Sequence, residues 1–505
     1  MPDVNPRRST VADIVRRSAR TFRDRPAVVF ADRTWTYAEL DEAVTRVAGH
    51  LLDLGLTKGD RVAAFGKNSD AYLIAFLACA RTGLVHVPMN NQFTPRELDY
   101  ILEQCGASTM LVDPALRPVL EKADSAPDNV LGLRDEDGSI LEVALSGSTP
   151  QLDVDVDDTD LCQLLYTSGT TSAPKGAMLT HRAFVHEYMG CIHALDMHED
   201  DAPLHVMPLY HSAQMHVFLL PWLAVGATNT ILETPDPTEI LRRMEADGHH
   251  AFFAAPTLWV ALANHPDFAT RDLSALQKAY YGASIMPGPV LARLQQKLPD
   301  LGFYNCYGQS EIAPLSCVLR PEEHAERPNS AGRPTLFVEM RIVDATGDDV
   351  APGEQGEVVY RSPQLCEGYW DKPEETAAAF AGGWFHSGDL VVEDEQGYIT
   401  VVDRVRDVIN SGGVLIASRE VEDAIYTHPG VAEVAVIGVP DETWVEAVQA
   451  FVVRRPDAGD LTADEIVEHA RTSLARFKVP KSVRFVDDLP RNASGKILKR
   501  ELRDS

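Results

Sequence analysis

The sequence has no paired cysteines. Its seven cysteines are scattered, and no two of them form a C-x-x-C pair. Zinc sites and disulfide frameworks both depend on short recurring cysteine spacings, so the sequence indicates neither kind of site. Dispersed cysteines of this kind are typical of proteins from a reducing compartment.

Long hydrophobic runs are also missing. The N-terminal stretch MPDVNPRRSTVADIVRRSAR has no apolar segment of the kind that a secretory signal needs. The longest apolar run is VFLLPWLAVGA at 217–227, whereas a membrane-spanning helix needs about 20 apolar residues. We therefore expect a cytoplasmic protein without an integral membrane segment.

Basic charge is scarce. The chain has 46 Lys and Arg against 75 Asp and Glu, a net charge of −29. Because nucleic-acid-binding proteins usually present a basic face, we expect no nucleic acid as the main partner. A locally basic pocket for an anionic cofactor is still compatible with this charge. The oligomeric state is not determined by the sequence, and a homodimer is one option.

The first four-fifths of the chain alternate between strand and helix patterns. Apolar strands are expected at 27–31, 61–65 and 84–89, and a helix is expected to begin after Thr36, with Glu39 completing a capping box. This alternation predicts an α/β core with largely parallel sheets. With 505 residues the chain is too long for a single core.

The pattern changes near residue 404. Beyond it come a helix that Ser418 is expected to cap, strands at 431–439 and 448–453, and a second capping box at Thr462. We therefore expect a large multi-subdomain α/β domain over 1–404 and a small, mobile α+β domain over 405–505.

A polar loop, YTSGTTSAPKG at 166–176, follows a predicted buried strand at 161–166. Glycine lets a backbone approach a ligand closely, and successive N–H groups can form a nest for an anion. Lys175 adds a positive charge. A solvated turn is the simpler alternative, and a cluster of Gly, Ser and Thr taken alone would favour it; the motifs further along the chain shift the balance towards a phosphate site. The spacing is not that of a P-loop, because Lys175 precedes Gly176.

Five further stretches carry chemically active side chains. They are MPLYHSAQ (207–214), YNCYGQSE (304–311), WFHSGDL (384–390), VVDRVRDVINSGG (401–413) and PRNASGKILKREL (490–502). In this order, and together with the loop at 166–176, they resemble the adenylate-forming superfamily of acyl-CoA synthetases, adenylation domains and beetle luciferases. The resemblance runs from Thr36 to Lys496, and MPLYHSAQMHVF, YYGASIMP and RSPQLCEGYWDKPEETA look most like bacterial fatty-acyl-CoA synthetases.

This resemblance implies a nucleotide site. Tyr307 would stack on adenine, Asp389 and Arg404 would hold the ribose, and the loop would wrap the triphosphate. The positions that match the family's ATP and AMP contacts are Thr167, Ser168, Gly169, Thr170, Thr171, Lys175, Gly282, Ala283, Ser284, Asn305, Tyr307, Gly308, Gln309, Ser310, Asp389, Arg404 and Lys496.

The resemblance also implies catalytic, substrate and hinge residues. The expected catalytic residues are Lys496, Lys175, His211 and Glu311, with Glu311 holding Mg²⁺. The acyl group would meet His211, Gln214, Tyr281 and Ile285, CoA would meet Gly412 and Gly413, and the small domain would pivot at Arg406. Taken alone, each residue has a structural alternative, such as a core histidine for His211 or a solvated cation for Arg406.

These residue types suit the implied reaction. A carboxylate attacks the α-phosphate of ATP, pyrophosphate leaves, and the acyl-AMP then reacts with a thiol, in most relatives that of CoA. Two anions must meet, so Mg²⁺ and lysines are needed to neutralise the developing charge. The cofactors expected are therefore ATP, Mg²⁺ and CoA.

The chain departs from the family's pattern at several positions. Ser172 stands in place of a usual Gly and Ser310 in place of Thr. After the SGG at 411–413 the family usually reads Glu-Asn and then Tyr-Pro, but Val414-Leu415 and Ala417-Ser418 stand here, and Val445 replaces a common Gly. The departures at 414–418 and at Val445 concern the second substrate.

We therefore expect an ATP-dependent ligase that joins a fatty or other hydrophobic acid to CoA. Other functions are kept open beside it. The nearest alternative adenylates an aryl or other acid and uses an amine or another small nucleophile in place of CoA. A carrier-protein loader, a luciferase-like oxygenase and a non-catalytic nucleotide-binding regulator are further alternatives. Pyrophosphate release would exclude the regulator, and light emission or oxygen uptake would reveal the oxygenase.

Overall fold

The computed structural model describes residues 8–167, 174–282, 286, 288–404, 407–411, 414–441, 445–456, 458–459, 461–491 and 497–503. The chain forms two compact units. The first unit comprises Met1–Glu339 and Arg361–Phe385, and the second comprises Met340–Tyr360 and His386–Ser505. The boundary expected between residues 404 and 405 stays a prediction.

The described strands follow one another along the whole chain. In chain order they are β1 (Pro26–Phe30), β2 (Arg33–Thr36), β3 (Arg61–Phe65), β4 (Val85–Met89), β5 (Thr109–Val112), β6 (Asn129–Gly132), β7 (Leu161–Thr167), β8 (Lys175–Thr180), β9 (Pro203–His205), β10 (Asn229–Ile231), β11 (Ala251–Phe253), β12 (Lys278–Gly282), β13 (Gly302–Gly308), β14 (Leu315–Leu319), β15 (Arg333–Pro334), β16 (Glu339–Val343), β17 (Gln355–Arg361), β18 (Phe385–Glu393), β19 (Ile399–Arg404), β20 (Ile409–Ser411), β21 (Val414–Ile416), β22 (Val431–Asp441), β23 (Val445–Arg454) and β24 (Ser482–Phe485).

The described α-helices lie between these strands. In chain order they are α1 (Val11–Thr21), α2 (Tyr37–Asp53), α3 (Asp70–Thr82), α4 (Pro95–Cys105), α5 (Arg117–Leu120), α6 (Ile140–Leu145), α7 (His181–Ala194), α8 (Leu220–Val225), α9 (Pro237–Asp247), α10 (Pro256–Asn264), α11 (Pro266–Thr270), α12 (Gly288–Lys297), α13 (Pro373–Ala379), α14 (Ser418–Tyr426), α15 (Ala463–Arg471) and α16 (Lys499–Arg503). A π-helix spans Ala213–Leu219, and 3₁₀ turns span Pro114–Leu116, Ser310–Ile312, Pro321–Glu323 and Ala381–Gly383.

The first unit contains two mainly parallel sheets. One has the strand order β15-β14-β13-β12-β11-β9-β10-β1-β2, and the other has the order β6-β5-β3-β4-β7-β8. Neighbouring strands from β1 through β13 in the first sheet are parallel, and its outer pairs are antiparallel. In the second sheet, β7 and β8 are the only described pair that is antiparallel. The predicted α/β core is confirmed.

The second unit combines two sheets with short helices. One sheet has the order β16-β17-β18-β19, and the other has the order β21-β20-β23-β22 with β24 added to β23. Helices α14 and α15 bury Val421, Ile425 and Ile466 in the core of the second sheet. The α+β character expected for the C-terminal part is confirmed.

Two of the three predicted helix starts are confirmed. Thr36 and Thr462 each cap a helix, and Glu39 and Glu465 complete the capping boxes. The prediction for Ser418 is wrong, because Ala417 is the N-cap of α14 and Ser418 is its first helical residue. The hydroxyl of Ser418 instead donates to the carboxylate of Asp403, 15 residues earlier in the chain.

Among the described residues, no helix combines the length and the apolar character that crossing a membrane requires. The apolar run at 217–227 is divided between the π-helix and α8, and its residues are largely buried inside the first unit.

Candidate active site

Glu311 stands on the 3₁₀ turn Ser310–Ile312, directly after β13. Its side chain accepts hydrogen bonds from the hydroxyls of Thr167 (3.2 Å) and Tyr369 (3.1 Å), both on Oε1. Burial raises the pKa of Tyr369, and Glu311 raises it further, so the phenol stays neutral and donates. The structure thus brings together the end of β7, which leads into the predicted phosphate loop, and the predicted magnesium ligand.

The segment 366–370 closes this arrangement. It runs along β8, where Met178 N–H donates to Gly368 O (2.9 Å) and Trp370 N–H donates to Gly176 O (2.8 Å). This pairing places the ring of Tyr369 at 5.1 Å from Nζ of Lys175. Cys366 N–H donates to the backbone oxygen of Glu311 (2.8 Å), so the segment fixes both the lysine and the turn.

The chemistry of Glu311 fits a hard divalent cation. It is 9% exposed, and among the described residues its Oε2 has no hydrogen-bond donor. No group of three or more His, Cys, Asp or Glu side chains in the described part of the chain is arranged to hold a metal ion. A magnesium ion at Glu311 would therefore complete its oxygen shell with phosphate oxygens and water, as Mg²⁺ commonly does.

His211 lies just before the π-helix, and its side chain is half-buried. Its Nδ1 accepts the N–H of Ala213 (3.3 Å), which places the ring proton on Nε2. Burial lowers the pKa of His211 to about 4, so the imidazole is neutral at pH 7. It can therefore donate one hydrogen bond to an anion but supplies no positive charge.

The segments that carry His211 and Glu311 touch each other. The hydroxyl of Ser212 lies 3.0 Å from the hydroxyl of Ser310. The residue after the predicted acid-binding histidine therefore contacts the residue before the predicted metal ligand. The serine that replaces the family's threonine at position 310 uses its hydroxyl for this link.

Two of the predicted acyl contacts use their polar atoms inside the protein. Gln214 is fully buried, and its Oε1 accepts the N–H of Met207 (3.0 Å) while its Nε2 lies 2.8 Å from Nδ1 of His205. The hydroxyl of Tyr281 lies 3.0 Å from Nε2 of His324. Both residues can shape an acyl pocket, but their polar groups already have protein partners.

Two glycines of the predicted nucleotide site are required by the backbone itself. A Cβ at Gly282 would lie 2.2 Å from the carbonyl oxygen of Cys306, on the neighbouring strand. At Gly308 a Cβ would lie 1.9 Å from the oxygen of Pro314. Because no side chain fits at such distances, these glycines allow the strand ends to approach one another closely.

The remaining described nucleotide residues of the first unit lie on or next to β13. Tyr307 is half-buried, and its backbone oxygen accepts the hydroxyl of Ser316 (3.1 Å). Asn305 donates to the backbone oxygen of Ser330 (2.9 Å). Nε2 of Gln309 is buried with no hydrogen-bond partner among the described residues, which leaves a donor for a ligand.

In the second unit, the predicted ribose-binding residues form a pair. Asp389 on β18 and Arg404 on β19 are opposite each other in the antiparallel register. Nε of Arg404 donates to Oδ1 of Asp389 (2.7 Å), and the Asp389 side chain is 6% exposed. The guanidinium thus fixes the carboxylate in one orientation.

Several predicted site residues lie outside the described residues, and their roles stay predictions. They are Ser168, Gly169, Thr170, Thr171, Ala283, Ser284, Ile285, Arg406, Gly412, Gly413 and Lys496.

A buried carboxyl behind the Glu311 turn was not predicted from the sequence. Glu187 on α7 is 1% exposed. Its Oε1 accepts the N–H of Leu315 (2.9 Å), and its Oε2 accepts Nε2 of Gln364, which also donates to the oxygen of Leu315 (3.2 Å). Burial raises the pKa of Glu187 to about 8. The sequence signal that could have indicated this buried carboxyl was a glutamate on the apolar face of a helix.

Asn68 was missed as well. It is 4% exposed, and it donates to the oxygen of Met207 (3.0 Å) and accepts the N–H of Leu209 (2.8 Å). Asn68 therefore holds the segment that leads to His211 from one side, while Gln214 holds it from the other. A polar residue three positions after the buried strand β3 was the sequence signal for this role.

The geometry agrees with comparisons to known proteins. Residues 15–370 match the AMP-binding enzyme family, and residues 420–496 match the C-terminal domain of AMP-binding enzymes. A feruloyl-CoA synthase from an Amycolatopsis species is 40% identical over 96% of this chain and 97% of its own length. A long-chain-fatty-acid–CoA ligase from Escherichia coli O157:H7 is 32% identical over 99% of this chain and 96% of its own length.

A solved structure shows the same fold. The amide bond synthetase McbA from Marinactinospora thermotolerans superposes with a TM-score of 0.88 and 28% identity, over 98% of this chain and 99% of that one. The resemblance found in the motifs is thus confirmed across the whole chain. The chain belongs to the AMP-binding enzyme family, and it is an AMP-forming acid–thiol ligase.

Proposed function

We propose that this protein uses ATP and Mg²⁺ to convert an aromatic carboxylic acid to its acyl-AMP and then transfers the acyl group to CoA. The observation that carries the proposal is the contact between Ser212 and Ser310 at 3.0 Å. It brings the histidine segment against the glutamate turn, so an acid at the first lies beside a nucleotide at the second.

The adenylation step is a displacement at phosphorus. A carboxylate oxygen of the acid forms a bond to the α-phosphorus of ATP, and the bond from that phosphorus to the bridging oxygen breaks to release pyrophosphate. Lys175 and Lys496 neutralise the charge that develops. Neutral His211 donates Nε2–H to the acid and orients it. Glu311 would hold a magnesium ion, which would supply further positive charge near the phosphates.

The second step moves the acyl group to sulfur. The thiol of CoA loses its proton, the sulfur attacks the carbonyl carbon, and AMP leaves. The roles of Gly412 and Gly413 at this step, and of Arg406 as a hinge, follow from the family resemblance. Asp389 and Arg404 hold the ribose through both steps, because their pairing depends on no substrate group.

An aromatic substrate is favoured over a fatty one by two observations. Identity to the feruloyl-CoA synthase is 40%, against 32% for the long-chain-fatty-acid–CoA ligase. In addition, the hydroxyl of Tyr210, directly before His211, is buried with no hydrogen-bond partner among the described residues. An alkyl chain offers this hydroxyl nothing, whereas a phenolic acid offers an oxygen.

A second candidate keeps adenylation and replaces CoA with an amine. It is favoured by the departures at Val414-Leu415, Ala417-Ser418 and Val445 and by the similarity to an amide bond synthetase. Both candidates make the same acyl-AMP and differ only in its acceptor.

The test is a panel of acids assayed for ATP-dependent pyrophosphate release, with and without CoA and with and without an amine. We expect a hydroxycinnamic acid to react faster than cinnamic acid or dodecanoic acid, and to give a thioester with CoA by mass spectrometry. The Tyr210→Phe variant should lose the preference for the hydroxylated acid. Fast turnover of dodecanoic acid alone would contradict the aromatic assignment, and an amide without a thioester would select the second candidate.

A further inference from the structure

A polar cluster in the second unit joins three segments of the chain. Its members are Asp403 near the end of β19, Ser418 and Glu422 on α14, and Lys499 at the start of α16. Ser418 is fully buried and Asp403 is 8% exposed. The side chains of Lys499 and Glu422 are 15% and 20% exposed. The cluster therefore lies mostly inside the unit.

Hydrogen bonds connect the members in a chain. Ser418 donates both its N–H (2.6 Å) and its hydroxyl (2.7 Å) to Oδ2 of Asp403. Nζ of Lys499 donates to the hydroxyl oxygen of Ser418 (2.6 Å) and to Oε1 of Glu422 (2.8 Å). The serine thus links the lysine to the aspartate, and each of its polar atoms is used.

The carboxylates in the cluster stabilise the charged form of Lys499. Burial alone would lower the pKa of Lys499, but the carboxylates of Glu422 and Asp403 outweigh burial and raise it. The ammonium group therefore stays charged. Oδ1 of Asp403 accepts the N–H of Arg404 (2.7 Å), so both oxygens of this carboxylate have partners. A buried polar network that is satisfied in this way is rigid.

Members of the cluster lie close in the sequence to two predicted site residues. Asp403 directly precedes Arg404, which is paired with Asp389, and Lys499 follows Lys496 by three residues. The ends of the segment that contains Lys496 are also joined, because Arg491 and Ile497 form a β-bridge and Leu498 N–H donates to Pro490 O (2.7 Å).

We propose that Lys499 is a positioning residue, which fixes the start of α16, three residues after Lys496, to Asp403, the residue before Arg404. The inference rests on the proposed function, in which Lys496 and Arg404 act on one nucleotide. Under this proposal, the chain that carries Lys496 is tied to the residue next to Arg404, the predicted ribose contact, before Lys496 acts on the phosphates. The binding of ATP itself does not depend on Lys499.

The link depends on a residue in which this chain departs from its family. Ser418 occupies the position where relatives usually have Pro. Proline is well tolerated at the first position of a helix, and Ala417 before it is extended (ψ 118°), as a residue before proline prefers. Proline has neither an N–H nor a hydroxyl to donate. The connection from Lys499 to Asp403 therefore needs serine at this position.

The first test compares two lysines that pair with the same helix. Lys499→Met removes the link, whereas Lys478→Met removes a more exposed pair with Glu420 (2.6 Å) two residues away on α14. With a preferred acid, we expect Lys499→Met to lower kcat for pyrophosphate release on the order of 10–100-fold, as a small misplacement of a catalytic group does. The KM for ATP should change less than about threefold.

Lys478→Met should stay near wild type, and Lys499→Arg should regain most of the lost rate. Equal rates for Lys499→Met and Lys478→Met would overturn the proposal. So would a rise in the KM for ATP that accounts for the whole loss, because that result would place Lys499 in nucleotide binding.

A second test covers the case in which Lys499→Met folds poorly. Ser418→Pro keeps the charges of Lys499 and Glu422 but removes both donors to Asp403 and the hydroxyl oxygen that accepts from Lys499. We expect it to lower kcat in the same direction and to speed amide hydrogen exchange in α16, while Ser418→Ala, which retains the N–H, has a smaller effect. Unchanged exchange in α16 with wild-type kcat would overturn the proposal.

The exchange measurement also separates this proposal from the proposed function. If the wild type releases no pyrophosphate with any acid, the proposed function fails. The anchoring of α16 is then still judged by its exchange rate in Ser418→Pro against wild type.

Discussion

Two nearly buried carboxylates are predicted to meet the nucleotide, and the protein treats them differently. Glu311 in the first unit is 9% exposed and is held by two neutral hydroxyls, from Thr167 and Tyr369. Asp389 in the second unit is 4% exposed and is paired with the guanidinium of Arg404 at 2.7 Å.

This difference means that the charge of Glu311 is available to bind a cation, whereas the charge of Asp389 is already compensated. Neutral hydroxyls orient Glu311 without compensating its charge, so the carboxylate can still attract a cation. Arg404 compensates Asp389, whose remaining task is to accept hydrogen bonds with fixed geometry. Each of the following predictions alters one side of this comparison.

The largest effect is expected from Glu311→Gln. Glutamine keeps an oxygen for Thr167 and Tyr369 but removes the charge. We expect kcat for pyrophosphate release to fall on the order of 100–1,000-fold, the usual result of removing one stabilising group from a charged transition state. The magnesium concentration that gives half-maximal activity should rise. A variant with an unchanged magnesium dependence would show that Glu311 does not hold the ion.

Asp389→Asn should act on ATP binding instead. Loss of a hydrogen-bonded charge costs about 1.5–3 kcal/mol, which corresponds to an increase of about 10–150-fold in the KM for ATP. The magnesium dependence should match wild type. If Asp389→Asn and Glu311→Gln shifted the same parameter, the two carboxylates would share one role and the comparison would fail.

Tyr369→Phe should give a smaller change. It removes one of the two neutral donors to Glu311, a loss of about 1 kcal/mol, so we expect activity to fall by about fivefold. Thr167→Val is the matched variant for the other donor. An effect as large as that of Glu311→Gln would mean that the phenol itself contacts the substrate.

The smallest effect on activity is expected from Glu187→Gln, which alters stability. Burial raises the pKa of Glu187 from 4.5 to about 8 in the folded protein. Between these values the folded state holds one more proton than the unfolded state, so the free energy of unfolding falls as pH rises, by at most about 1.4 kcal/mol per pH unit. The contribution levels off above pH 8.

Glutamine does not titrate. The stability of the wild type relative to Glu187→Gln should therefore decline between about pH 5 and pH 8, as measured by denaturant unfolding. A constant difference across this range would show that Glu187 is charged in the folded protein, and it would then resemble Glu311 rather than contrast with it.

Local patterns in the sequence were enough to predict two helix starts, a strand and the family. The capping boxes at Thr36 and Thr462, the strand at 61–65 and the order of the motifs all depend on residues close together in the chain. Helix periodicity and capping are local interactions, so they can be read without the fold. The ribose pair was predicted from its motifs, and its side chains meet in the structure.

The tertiary structure decided how the polar groups are used. Gln214 was predicted to meet the acyl group, yet its amide holds Met207 and His205. Ser418 was predicted to cap a helix, yet it joins Asp403 to Lys499, 81 residues further along the chain. Glu187 meets Leu315 across 128 residues. Hydrogen-bond partners at such separations are set by the packing of the whole chain, because a donor takes the acceptor that the fold brings to it.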